Sequence, residues 1–241
     1  RLYAVQGRTP LVATHETIRG LLSDAASQSK ECKFSLRFLE TEWEQVVDSW
    51  QLTSWEAYRD VSRLGRKTRL PEQQRRTLWS LFEQVQSALQ ADNLVTSSGI
   101  FSVLATRFSE SEQLPFDFCV VDEAQDINVQ QLRFLSTFSK KRADGLFFAG
   151  DLGQRIFQQP FSWKSLGVDI RGRSKTLRIN YRTSHQIRMK ADRLLDSEIA
   201  DVDGVVEERL GTVSVFNGPE PTIMTLASKE EEIKAVGNWL N

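Results

Sequence analysis

The chain has 241 residues, a formal net charge of -1 and a pI near 6.3, so no global electrostatic attraction draws it to nucleic acid or to anionic membranes. Its 40% hydrophobic and 26% charged residues are typical of a globular protein that buries a core. The sequence has no run of about 18 apolar residues, no zinc-ligand spacing and too few cysteines for a disulfide scaffold, so we predict a protein with no membrane contact, located in the cytoplasm.

Residues 1–22 are predicted to form a short strand pair followed by a helix. The segment from Pro10 to Ala13 is strand-like, and Thr14 is placed to cap a helix over Glu16 to Leu22. The chain opens at Arg1 on apolar sequence without an initiator Met, so we expect it to be an internal piece of a longer polypeptide.

Residues 23–98 show helical periodicity, because apolar side chains recur at spacings of three, four and seven. Four tryptophans at positions 43, 50, 55 and 79 favour a packed core, with a protein-interaction surface as the alternative. The polar turn inside this region opens a basic stretch, residues 63–76, with six Lys or Arg against one acid. This stretch predicts contact with nucleic-acid phosphates, and a solvated surface is the alternative.

From residue 99 onward, predicted strands alternate with helices. Strands are expected within Leu114–Asp126, Gly145–Gly150 and Thr176–Ile179, with a helix over Val129–Phe138. This order predicts an α/β domain with a parallel sheet. The tail predicts strands at Gly211–Phe216 and Thr222–Leu226 and a helix at Ser228–Leu240.

Polar side chains follow three of these strands. Asp122 and Glu123 end the first, Gln154 lies in a Gly-Asp turn after the second, and Tyr181 and Arg182 end the third. Because ligands bind at the carboxyl ends of parallel strands, the acids are placed to hold Mg²⁺ and to activate water. Each run also has a plain structural interpretation: a helix-capping acid, a tight turn, and a surface Tyr-Arg pair.

Together the three runs resemble motifs II, III and IV of the UvrD/Rep-like superfamily 1 DNA helicases. The matching strings are Asp122-Glu123-Ala124-Gln125-Asp126, Gly150-Asp151-x-x-Gln154-x-Ile156 and Asn180-Tyr181-Arg182. Ala13-Thr14-His15 is similar, more loosely, to the family's Thr-Phe-His element.

The resemblance implies a RecA-like P-loop NTPase sheet with a helical, 1B-like insertion and the start of a second RecA-like domain. It assigns residues 1–22 and 99–174 to the first RecA-like domain, 23–98 to the insertion and 175–241 to the second domain. It further implies ATP and Mg²⁺ as cofactors, single-stranded DNA and single-strand/duplex junctions as partners, and 3′ to 5′ polarity.

The implied site roles are as follows. Asp122 holds Mg²⁺, Glu123 is the general base, Gln154 senses the γ-phosphate, Tyr181 stacks on adenine, Arg182 is the arginine finger, and Gln125 and Asp126 are linkage residues. DNA contacts are implied for Thr14, His15, Phe157, Trp163 and Lys164, although an expanded loop from Gln158 to Ser162 leaves open which aromatic residue stacks.

The sequence contains no phosphate-binding Gly-x-x-x-x-Gly-Lys-[Ser/Thr] string, since Gly65-Arg66-Lys67-Thr68 lacks the required spacing. We therefore expect this chain alone to have negligible ATPase activity. Two interpretations of the whole protein remain at this point: an ATP-dependent helicase or translocase, and a motor-like DNA-binding or regulatory module that does not unwind DNA. The helical region also remains a possible site for protein partners.

Overall fold

The computed structural model describes residues 11–63, 69–151, 154, 160–194, 198–204, 206–208 and 212–240. The chain forms two compact units. The first comprises Arg1–Ser174 with Ala200–Val205, and the second comprises Lys175–Ile199 with Val206–Asn241. Within the described ranges, no helix combines the length and the apolar character needed to cross a membrane.

The first unit begins with a largely helical region. Its elements are β1 (Leu11–Val12), α1 (His15–Gln28), α2 (Leu36–Glu42), a π-helical turn (Trp43–Asp48), α3 (Trp55–Asp60) and α4 (Glu72–Ala91). The predicted cap of α1 is confirmed, since the Thr14 hydroxyl accepts a hydrogen bond from the Thr17 N–H at 3.1 Å. Ser35 and Ser54 cap α2 and α3 in the same way, so these three helices begin where a hydroxyl satisfies a free backbone N–H, whereas α4 follows Pro71 without a side-chain cap.

These helices share one hydrophobic core. Trp43 and Trp79 are buried within it, and Trp50 and Trp55 pack against it, so all four tryptophans serve the core. The core also contains a charged group: the fully buried Glu42 accepts hydrogen bonds from the Tyr58 hydroxyl and from two guanidinium nitrogens of Arg63. This ion pair holds Arg63, the first residue of the basic stretch, against Glu42 of α2.

The rest of the first unit is mixed α/β, as predicted. Its elements are β2 (Leu94–Val95), α5 (Ser97–Glu110), β3 (Cys119–Val121), α6 (Val129–Lys141) and β4 (Leu146–Phe148). β1 pairs in parallel with β2, and β3 pairs in parallel with β4. Helix α1 runs across the proposed boundary at residues 22/23, and α5 runs across the one at 98/99, so both boundaries fall inside helices.

The two faces of the β3–β4 pair differ in burial because side chains alternate along a strand. Val121, Leu146 and Phe148 pack toward a cluster that includes Leu132 of α6. Val120 and Phe147, which are paired in register, are 76% and 63% exposed. Only one face of this pair is therefore packed within the described part of the first unit.

The C-terminal part of the chain contains short strands and two helices. They are β5 (Ile179–Asn180), α7 (His185–Asp192), β6 (Glu198–Ala200), β7 (Val206–Glu208), β8 (Val213–Ser214) and α8 (Lys229–Leu240). β5 pairs in parallel with β8, and β6 pairs with β7. The predicted strand at Thr222–Leu226 is wrong, since these residues form no strand. The predicted cap of α8 is present: the Ser228 hydroxyl accepts from the Glu231 N–H at 3.3 Å.

Candidate active site

The carboxyl ends of β3 and β4 lie side by side. Their ladder continues past the strands, since the Ala149 N–H donates to the Val121 carbonyl and the Ala124 N–H donates to the Ala149 carbonyl, both at 2.8 Å. Asp122 and Glu123 therefore leave the sheet at the same edge as Gly150 and the turn that follows it. This is the edge at which parallel α/β sheets bind ligands.

Glu123 has an unusual backbone conformation. Its φ of 51° and ψ of 44° are left-handed, which costs a residue with a side chain roughly 1–2 kcal/mol. Its N–H donates to the Asp122 carboxylate at 2.9 Å, and its carbonyl accepts from the Asp126 N–H at 2.9 Å. Gln51, Asn93 and Asp144 also have a positive φ, so it is the combination of this strain with the position at the sheet edge that makes Glu123 a candidate catalytic residue.

Gln125 links the two strand ends. Its side-chain Nε2 donates to Glu123 Oε2 at 2.7 Å, and its Oε1 accepts from the Asp151 N–H at 3.0 Å. Gln154 extends the chain of contacts by donating from Nε2 to Asp151 Oδ2 at 2.9 Å. The structure thus brings together the predicted base and the predicted γ-phosphate sensor through Gln125 and Asp151.

An open cleft of about 370 Å³ lies beside the acids, against α5 and α6. Its polar lining comes from Asp122, Glu123, Asp126 and Gln131, and its apolar lining includes Phe101, Phe134 and Leu135. A few polar groups within an apolar wall are typical of small-molecule sites.

The donor set at this edge is suited to Mg²⁺. Within the described residues, no group of three or more His, Cys, Asp or Glu side chains is placed to hold a metal ion by itself. Mg²⁺ does not require such a cage, because it is usually bound by one or two carboxylates together with water and substrate phosphates. The exposed carboxylates of Asp122 and Glu123 fit that pattern.

The residues predicted to contact DNA are placed differently from one another. Thr14 and His15 are exposed at the start of α1, where His15 Nε2 lies 3.4 Å from Glu44 Oε1. Trp163 is only 6% exposed and meets the Phe148 ring edge-on at 4.9 Å between centroids, so the structure places its ring in the core and away from solvent. Lys164 is exposed, and Phe157 lies outside the described residues.

An interaction beside Trp163 and Lys164 was not anticipated from the sequence. The Asp203 carboxylate accepts from the Ser162 hydroxyl and, at 3.0 Å, from the Lys164 backbone N–H. No local pattern could reveal it, because about forty residues separate the partners along the chain.

Tyr181 and Arg182 follow β5 and are both exposed, Tyr181 at 72%. Asn180 sets this turn: its Oδ1 accepts from the N–H groups of Arg182 at 2.8 Å and Thr183 at 3.1 Å, and its Nδ2 donates to the Thr183 hydroxyl. Sequence reasoning gave Asn180 no role, although an Asn followed three residues later by Thr signals such a turn. The approach of Arg182 to a nucleotide stays a prediction.

The β3–β4 pair ends in acids and packs against α6, so the first unit is a mixed α/β structure with a candidate ligand site at this sheet edge. The model of the UvrD/REP helicase N-terminal domain matches residues 11–163, which is more than half of the sequence. The chain therefore belongs to the UvrD/REP helicase family. No match to a curated protein was found.

The matched range contains Asp122, Glu123 and Gln154 and ends at Trp163. Tyr181 and Arg182 lie beyond it, so their roles depend on the resemblance of the short motif alone. The site in the first unit is consequently the better supported of the two.

Proposed function

We propose that this chain is part of an ATP-dependent DNA motor that moves 3′ to 5′ along single-stranded DNA and separates duplexes at single-strand/duplex junctions. The observation that carries the proposal is the hydrogen-bonded link from Glu123 through Gln125 and Asp151 to Gln154, at a sheet edge inside the family match. A module that only bound DNA would have no physical need for a strained glutamate held in this way.

In this proposal Asp122 holds Mg²⁺ and Glu123 orients and deprotonates the attacking water. Gln154 contacts the γ-phosphate, Tyr181 stacks on adenine and Arg182 stabilises charge on the transferred phosphoryl group. When bound, Mg²⁺ supplies positive charge that offsets the charge on the phosphate oxygens. The support is the exposed placement of all these side chains at strand ends.

The domain assignment is part of the same proposal. Helices from α1 to α4 share a core distinct from the clusters around α5, α6 and the β3–β4 pair, which supports a helical 1B-like insertion in a RecA-like domain. Because α1 contributes Ile18 and Leu22 to the helical core, we propose that the insertion boundary lies before residue 23. Residues from Lys175 would begin the second RecA-like domain.

The test is steady-state ATP hydrolysis by the full-length protein, with and without single-stranded DNA, beside its Glu123→Gln variant. Loss of a general base is expected to lower kcat by about 10²- to 10⁴-fold. Glu83→Gln, an exposed glutamate in α4, is the matched control and should retain turnover. ATP turnover that survives in Glu123→Gln without DNA would contradict the proposal. The 241-residue chain alone should be inactive, because its sequence lacks the phosphate-binding string.

Unwinding is tested separately with a tailed duplex. Strand separation that depends on ATP and on Glu123 supports the helicase, whereas ATP turnover with the duplex left paired indicates a translocase. Absence of Glu123-dependent turnover in the presence of DNA would favour the binding or regulatory module.

The proposed DNA contact near the helices would use only some of the cations in residues 63–76. Of the cations in residues 63–76, Arg63 pairs with Glu42, Arg75 donates to the Leu70 and Arg59 carbonyls, and Arg76 pairs with Glu72 over the Trp55 ring. Arg69 is exposed, and Arg66 and Lys67 lie outside the described residues. Fewer cations are therefore available to phosphates than the sequence count indicates.

Salt dependence of binding distinguishes the two groups of cations. If Arg69 contacts a phosphate, Arg69→Ala should reduce the slope of log affinity against log salt by about 0.7 for single-stranded DNA. Arg75→Ala is the matched control and should leave the slope unchanged, because the Arg75 guanidinium already bonds two backbone carbonyls. Equal slopes in the wild type and Arg69→Ala would remove Arg69 from the DNA path.

A further inference from the structure

We propose that Gln125 is a positioning residue for ATP hydrolysis, which holds the Glu123 carboxylate and ties it to the turn that carries Asp151 and Gln154. This role rests on the proposed function. The buried Gln125 amide would hold the proposed base at a fixed position relative to the residues that follow β4.

The geometry uses both ends of the amide. The Asp151 backbone N–H can only donate, so the oxygen of Gln125 must face it, and the nitrogen must then face Glu123 Oε2. The donor on Asp151 and the acceptor on Glu123 therefore fix the orientation of the amide. With the side chain only 5% exposed, water is poorly placed to replace either partner.

Gly150 supports the same arrangement from the other strand. A Cβ at this position would lie 2.6 Å from Gln125 Oε1, 3.0 Å from the Ala124 nitrogen and 3.2 Å from the Gln125 nitrogen. Two of these three atoms belong to the backbone and cannot rotate away. A side chain at residue 150 would therefore displace the Gln125 amide, which gives a second route to the same defect.

The hydrogen bond from Gln125 also restrains the Glu123 side chain, which is otherwise exposed. The Glu123 carboxylate is exposed at the sheet edge, and its left-handed backbone sends the side chain into a turn of only three residues, Ala124–Asp126. A charge-assisted hydrogen bond of 2.7 Å from a buried donor restricts its rotamers. Because misplacement of a catalytic group by about 1 Å can cost roughly 100-fold in rate, this restriction affects turnover more than binding.

The experiment compares Gln125→Met with Gln130→Met in the full-length protein. Gln130 is a matched control: it is fully buried on α6, and its amide has no hydrogen-bond partner within the described residues. We expect Gln125→Met to lower kcat by about tenfold to a hundredfold while KM for ATP stays within about twofold. We expect Gln130→Met to leave both constants near the wild-type values.

Two further variants disturb the same hydrogen-bonded link by different routes, and KM for ATP is measured in each beside kcat. Gly150→Ala should reproduce the kcat loss of Gln125→Met. Gln125→Glu keeps an acceptor for the Asp151 N–H but replaces the donor to Glu123 with a second carboxylate, so it should lower kcat at least as much as Gln125→Met.

The outcomes separate the two proposals. Wild-type kcat in Gln125→Met or in Gln125→Glu overturns the positioning role while leaving the motor intact. An increase in KM without loss of kcat likewise overturns it. Absence of Glu123-dependent turnover in the wild type overturns both.

Discussion

The left-handed backbone of Glu123 can be tested by comparing two variants that both lack its side chain, Glu123→Ala and Glu123→Gly. Each loses the hydrogen bond from Gln125, so that loss cancels in the comparison. What remains is the difference between alanine and glycine at a φ of 51°.

The expected magnitude has two opposing parts. Alanine in the left-handed region is disfavoured by roughly 1–2 kcal/mol, whereas glycine is not. Glycine loses more backbone freedom on folding, which offsets about 0.5–1 kcal/mol of that advantage. We therefore expect Glu123→Gly to be more stable than Glu123→Ala by about 1 kcal/mol.

The control position is Glu83, an exposed glutamate in the helix α4. There the order should reverse, because glycine in a helix interior is about 1 kcal/mol less favourable than alanine. The double difference between the two sites is then about 2 kcal/mol.

The free energies of unfolding are measured by urea denaturation followed by tryptophan fluorescence. Trp43, Trp50, Trp55, Trp79 and Trp163 all lie in the first unit, so the signal is dominated by the unit that contains both glutamates. If alanine is as stable as glycine at residue 123, the backbone is not strained as described, and the argument for function that rests on strain fails with it.

Two further predictions concern buried charges in the first unit. Burial raises the pKa of the Asp48 carboxyl above its ordinary 3.8. The protonated carboxyl favours folding below the unfolded pKa, and this contribution is lost as the pH rises through the folded pKa. Asp48→Asn cannot ionise, so its stability relative to the wild type should increase as the pH rises above about 4 in urea unfolding, and a constant difference would contradict this. Arg63→Ala should lower the free energy of unfolding by about 3–5 kcal/mol because it leaves the Glu42 carboxylate buried without its cation, whereas replacing both Arg63 and Glu42 by Met should recover most of the loss.

The parts of the fold that were predictable from sequence are those specified by neighbouring residues. Thr14 and Ser228 cap helices because a hydroxyl side chain is preferred at the residue before a helix, where it accepts from a free N–H three residues on. The strand that ends in Asp122 and Glu123 was predictable for a similar reason: a short apolar run followed by acids is a local signal.

The parts that were missed depend on residues far apart in the sequence. β2 has only two residues, which is too short for any periodicity, and it is defined by pairing with β1 about eighty residues earlier. The contact of Asp203 with Ser162 is another case. Trp163 shows a different limit, since an aromatic residue that stacks on a base and one that fills a core look alike in sequence.

Counting Lys and Arg residues in the sequence also could not show which of them bond to other parts of the protein. Residues 63–76 carry six Lys or Arg, yet Arg63, Arg75 and Arg76 are engaged by groups of the protein. A sequence count treats every cation as available to solvent, whereas a long side chain is often used for packing and for internal hydrogen bonds. The basic stretch of residues 63–76 therefore offers fewer cations to DNA phosphates than its net charge indicates.

At the sheet edge, three features that restrict the sequence meet at one carboxylate. Glu123 is left-handed, a polar amide is buried beside it, and the neighbouring strand must have glycine at residue 150. Independent local costs of this kind usually fall at functional sites, because a sequence under selection for stability alone would remove them. In the proposed mechanism Glu123 is the general base, and the Gln125 amide and Gly150 both restrict its position. Loss of the Gln125 amide should therefore lower kcat before it affects the fold.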